Sequence, residues 1–78
     1  MLNMPKRVEL QLRKTFDSLT KSHPQYYQRE YRLMGDVHRW LLYRQGVLVA
    51  DVRAKWTKGG RLTSFEIIPG PGMKGEQA

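Results

Sequence analysis

Val8, Leu12, Phe16 and Leu19 recur at spacings of four, four and three, which lines them up along one stripe of an α-helix. Asn3 is a capping residue ahead of that stripe, and Pro5 suits a first helical turn. The pattern stops at "KSHP", because the residue before a proline, here His23, avoids helical backbone. Leu10 falls off the stripe. The other side of the predicted helix carries Lys6, Arg7, Arg13, Lys14 and Lys21, a solvated face or one that contacts phosphates.

From Tyr26 onward the period changes to two, with glycines where hairpins need them. Gln45 and Gly46 as a two-residue loop pair Arg44 with Val47, Tyr43 with Leu48, Leu41 with Ala50 and Arg39 with Val52. Gly59 and Gly60 as the next loop pair Trp56 with Thr63, Ala54 with Phe65 and Val52 with Ile67. Both registers put Leu41, Tyr43, Leu48, Ala50, Val52, Ala54, Trp56, Phe65 and Ile67 on one face, onto which the helix stripe can pack. For the strand over residues 26–34, a two-residue loop of Gly35 and Asp36 sets Arg32 opposite Arg39 and turns Tyr31 and Leu33 away from that core. A three-residue loop, residues 35–37, pairs Leu33 with Arg39, Tyr31 with Leu41 and Arg29 with Tyr43, and is the expected register.

The fold class expected is α+β: one N-terminal helix packed on a four-stranded antiparallel β-meander. A single domain over residues 1–69 is followed by "PGPGMKGEQA", whose Gly/Pro-rich end, residues 70–78, reads as a flexible tail.

Length and composition narrow the function. The chain has 78 residues and no cysteine, which leaves room for one small core and excludes disulfides, thiol nucleophiles and Cys-based zinc sites. The longest apolar run, Val47 to Ala50, is far short of a membrane span, and Lys6 and Arg7 interrupt any signal-peptide pattern. A cytoplasmic protein with no membrane partner is expected. Fourteen Lys and Arg against seven Asp and Glu give a formal charge of +7 and a pI near 10.2, which attracts polyanions, nucleic acid first among them. The basic residues are spread along the chain, so a patch has to be made by folding.

In the expected register the sheet face away from the helix collects Gln28, Glu30, Arg32, His38, Trp40, Arg44, Asp51, Arg53, Lys55, Ser64 and Glu66. Arg32 lies across from Trp40 and can stack on it, Arg53 opposes Glu66 as its ion-pair partner, and Asp51 reads as a charge partner rather than an acid catalyst. Cations around a flat ring suit RNA or single-stranded DNA, since they meet phosphates while the ring stacks a base. The candidate nucleic-acid-binding residues are therefore Arg32, His38, Trp40, Arg44, Arg53 and Lys55. The alternative is an ordinary solvated face with Trp40, Leu42 and Val49 as a second apolar cluster.

No nucleotide-binding, zinc-protease or CxxC motif occurs, and "KGGR" is a turn rather than a phosphate cradle. His23 and His38 have no companions at ligand spacing, so no metal and no cofactor is expected. His38 with Asp51 or Glu30 is the one general-base arrangement available. A non-catalytic protein is the expectation.

The run "YRLMGDVHRWLLYRQGVLVADVRAKWTKGGR" resembles the central strands of the RelE/ParE/HigB toxins, over residues 27–61 at most. That resemblance implies a sheet face that binds messenger RNA on the ribosome and cleaves it without a metal. The matching candidates are His38 or Arg39, Arg53, Lys55 and Arg61. This chain departs from the family in having one helix, no clear opening strand and no closing segment with a catalytic tyrosine. A third class is a small inhibitor or adaptor, of the kind mobile elements encode, docking a host protein through Trp40, Leu42 and nearby arginines.

Overall fold

The helical stripe is the buried side of α1 (Lys6–Leu19): Val8, Leu12 and Phe16 are buried and Leu19 is half-buried, while Leu10 stays exposed. The computed structural model describes residues 4–73. Pro5 occupies the N-cap in extended conformation and makes no side-chain cap; the expected cap, Asn3, lies outside the described residues. The helix ends before Pro24 acts. Lys21 and Ser22 take left-handed backbone at φ 52° and 63°, and the Ser22 N–H donates to the Asp17 carbonyl, so the chain closes the last turn on itself.

A 3₁₀ turn (Pro24–Tyr26) leads into β1 (Gln28–Met34), β2 (Val37–Arg44), β3 (Val47–Trp56) and β4 (Leu62–Pro69), one antiparallel sheet in the order β1-β2-β3-β4. This is the α+β meander with one N-terminal helix expected from the pattern. No helix is long and apolar enough to cross a membrane among the described residues. Residues 70–73, expected to be tail, lie against β3. The Gly70 N–H donates to the Val49 carbonyl at 2.8 Å, and Met73 packs on the core. At Gly70 a Cβ would stand 2.4 Å from the Leu48 carbonyl oxygen, so only glycine fits this approach. Residues 74–78 lie outside the described residues.

Register corrects the expected faces of β2 and β1. The turn at Gln45 and Gly46, with φ 52° and 78°, is the expected two-residue turn and pairs Arg44 with Val47 and Tyr43 with Leu48. The next pair is Leu42 with Ala50, leaving Val49 as an extra residue of β3. Such a bulge reverses every side chain beyond it. Trp40 and Leu42, not Leu41 and Tyr43, therefore join Ala50, Val52 and Ala54 beneath α1. Leu41 is buried on the helix-free face, between Glu30 and Asp51 on the neighbouring strands.

At the β1–β2 turn Gly35 has φ 64°, and Met34 pairs directly with Val37, so the loop has two residues rather than three. Arg32 does face Arg39, and because β2 is reversed, Tyr31 and Leu33 lie on the helix side. Between β3 and β4 the expected pairs Val52 with Ile67 and Ala54 with Phe65 are present. The turn itself closes one residue wider, on Thr57 and Arg61, and a second bulge at Lys55 and Trp56 restores the register. Ile67, expected in the core, is 42% exposed at the outer edge.

Trp40 is 8% exposed within the core, whereas Trp56 is half-buried at its margin. Trp40→Ala is expected to cost ~3–5 kcal/mol, the range for emptying a large aromatic site, and Trp56→Ala distinctly less. Urea unfolding orders the two; a lower midpoint for Trp56→Ala would remove Trp40 from the core.

Candidate nucleic-acid interface

Strand pairing sets Arg32 of β1 opposite Arg39 of β2, Arg39 opposite Arg53 of β3, and Arg53 opposite Glu66 of β4. Three like charges side by side on one sheet row repel. Asp51, 5% exposed, sits one step along β3 and takes up two of them. Arg39 donates to its carboxylate at 2.7 Å and 3.4 Å, and Arg53 at 3.1 Å and 3.2 Å. Arg32 turns to Glu30 at 3.1 Å and Lys55 to Asp36 at 3.3 Å. Arg53 thus spends its guanidinium on Asp51 rather than on Glu66. Burial works to raise the Asp51 carboxyl pKa, but the hydrogen bonds from Arg39 and Arg53 outweigh it and hold the group below its ordinary value.

His38 and Trp40 are not on this face. Both lie on the helix side, where the His38 ring stacks on Trp56 with centroids 3.9 Å apart and planes at 10°. Tyr31 closes the cluster: its ring is 5.4 Å from Trp40, and its hydroxyl lies 2.7 Å from His38 Nδ1. Burial lowers the His38 pKa, only partly offset by Asp36. The lowered pKa favours the neutral ring, whose tautomer sets which partner donates in the Tyr31–His38 hydrogen bond. Trp40 therefore offers no stacking platform and no adaptor anchor, and Arg32 does not stack on it. Arg44 is also on the helix side, its guanidinium 5.6 Å from the centre of the Tyr27 ring.

The toxin-like candidates fall in three places. His38 is on the helix side, Arg39, Arg53 and Lys55 are on the helix-free side, and Arg61 is at the β3–β4 turn, where it shares a shallow depression with Lys6 and Arg7. Among the described residues no group of His, Asp or Glu is placed to hold a metal ion.

Sorting the charges by side locates the basic excess. The helix-free face and its rim hold Arg32, Arg39, Arg53 and Lys55 against Glu30, Asp36, Asp51 and Glu66, a formal balance. Lys74 and Glu76, outside the described residues, cancel in sign. The whole formal excess of +7 therefore belongs to α1, its neighbouring turns and the helix side of β1 and β2. Among the described residues Lys6, Arg7, Arg13, Lys14, Lys21, Arg29, Arg44, Lys58 and Arg61 lie there, and Glu9 and Asp17 are the carboxylates of that side. Of these, Arg13 pairs with Glu9 at 3.5 Å and Arg29 lies 4.8 Å from the centre of the Phe16 ring. The helical cations of this group were visible in the sequence, but the membership of Arg29 and Arg44 depends on which face each strand residue takes.

Comparison with protein-family models, with curated proteins and with solved structures finds no match to this chain.

Asp51→Asn removes the charge that holds two arginines and is expected to cost ~1.5–3 kcal/mol, the scale of hydrogen bonds to a charged group; an unchanged urea midpoint would contradict the clamp. The His38 pKa is lowered on folding, so the unfolded chain takes up a proton first as pH falls. Stability is full above the unfolded value of about 6.5 and declines as pH drops through the folded value. In thermal melts between neutral and mildly acid pH this decline should be present in the wild type and absent in His38→Phe.

Proposed function

We propose that the protein binds nucleic acid, RNA or single-stranded DNA, without catalysis, through the α1 side of the domain rather than through the open sheet face. The observation that carries this reading is the charge partition: the helix-free face is formally neutral and its four cations are paired within it, while the basic excess gathers on α1 and the turns beside it. Exposed cations on one side meet phosphates and release counterions, the main source of affinity for a polyanion. Tyr26, 61% exposed in the connection from α1 to β1, supplies a ring on which an unpaired base stacks. The absence of catalysis is supported by the engagement of the candidate groups: Asp51 holds Arg39 and Arg53, and His38 is stacked and bonded to Tyr31.

Anisotropy titrations of a labelled single-stranded RNA oligonucleotide over a series of salt concentrations test this reading. Lys6→Ala with Arg7→Ala should flatten the log–log salt slope by about 0.7 for each phosphate no longer neutralised. Arg53→Ala with Lys55→Ala should leave the slope unchanged. Tyr26→Ala should weaken binding by ~1–3 kcal/mol at constant slope, because stacking releases no counterions. Equal flattening by the two cation pairs, or binding indifferent to salt, would overturn the assignment.

A further inference from the structure

β1 is an edge strand exposed along its whole length. It contains no proline, and its pairing with β2 is free of bulges, so of the usual devices that keep an edge from pairing it has only charged side chains, Arg29, Glu30 and Arg32. The other edge, β4, has both: Pro69 within the strand and a bulge opposite Lys55 and Trp56. On β1, moreover, Tyr31, Leu33 and Met34 are 40%, 57% and 49% exposed, a large apolar content for a free edge.

We propose that β1 pairs antiparallel with β1 of a second copy of this chain, about a two-fold axis through Tyr31. The two-residue turn closes on Met34 and Val37, a hydrogen-bonded pair, and such pairs alternate along an antiparallel ladder. Arg29, Tyr31 and Leu33 consequently direct their N–H and C=O groups away from β2, ready for a new strand. A two-fold at Tyr31 sets Tyr31 opposite its own copy and Arg29 opposite Leu33, and each of these pairs exchanges both backbone bonds.

The charges select this register. With the axis at Tyr31, Glu30 of each copy stands directly opposite Arg32 of the other, in the non-hydrogen-bonded positions where side chains approach closest. Moving the axis to Glu30 sets Glu30 against Glu30, and moving it to Arg32 sets Arg32 against Arg32. Both alternatives oppose like charges. The existing Arg32–Glu30 contact within one copy, at 3.1 Å and exposed, becomes part of a four-membered network of alternating sign. A second copy thus meets the strand with complementary charges, paired tyrosines and a full set of backbone partners.

Sedimentation velocity over a concentration series, with circular dichroism to confirm folding, tests the interface. The wild type should form a dimer. Arg32→Glu and Glu30→Arg each place like charges across the axis and should each raise the dissociation constant about tenfold or more. An equimolar mixture of the two variants should recover the dimer, because the two acidic side chains of one then face the two basic side chains of the other. A wild type that stays monomeric throughout, single variants that dimerise as well as the wild type, or a mixture that fails to recover would each overturn the proposal.

Discussion

One residue of β3 governs which side of β2 lies under α1. Side chains alternate along a strand, so the extra residue at Val49 exchanges the two faces of everything in β2 that follows its turn in the pairing. Without it Arg39 would stand opposite Val52 and beneath the helix, a charge in an apolar layer with no partner. Asp51, on the other side of β3, would lose its shortest hydrogen bond, the one from Arg39 at 2.7 Å. With it, Trp40 and Leu42 fill the space over Ala50 and Val52, and Arg39 arrives beside Asp51. The bulge leaves one ladder position imperfect and in exchange separates apolar from charged residues across the whole central pair of strands.

The charge distribution follows from that separation. Once Arg39 is on the helix-free face it completes the row with Arg32 and Arg53, and the row is tolerable only because Asp51 binds two of its members and Glu30 binds the third. The cations most conspicuous in the strand sequences are therefore engaged within the sheet. The helix has no comparable supply of carboxylates: Glu9 and Asp17 accompany Lys6, Arg7, Arg13 and Lys14, and its N-terminus adds partial positive charge. The net positive charge of the domain therefore lies on the α1 side, whereas strand alternation alone points to the opposite face.

The amphipathic stripe of α1, the meander and the central β3–β4 register were legible because each rests on local periodicity or turn chemistry. The bulge was not. Trp40, Leu41, Leu42 and Tyr43 are consecutive apolar residues, and Val47 to Ala50 are four more, so either alternation fills a core and hydrophobic pattern alone does not choose. With β2 on the wrong face, the neighbouring turn has to be three residues long, since only that length keeps Tyr31 and Leu33 with the wrongly chosen core. Gly35 in the first of two turn positions, where positive φ is required, was the available sign of the shorter loop. Asp51 was readable as a charge partner from its place beside Arg53, but its second arginine, Arg39, becomes visible only when β2 is reversed. The same ambiguity carried His38 and Trp40 from the aromatic cluster onto a presumed binding surface.

The narrowness of the core connects the charged side to the exposed edge. α1 packs mainly over β2 and β3 and leaves β1 exposed, so the domain ends in an edge strand whose side chains alternate in charge about Tyr31. A two-fold axis through that residue, perpendicular to the sheet, keeps both copies of α1 on the same side. In the proposed dimer the two cation-rich sides therefore face one way instead of opposing each other. A chain of phosphates that reaches from one helix to the other binds the second at the effective concentration fixed by the first, which raises affinity without any new kind of contact. Edge pairing and polyanion binding are separate proposals, and the geometry of the sheet would make the first strengthen the second.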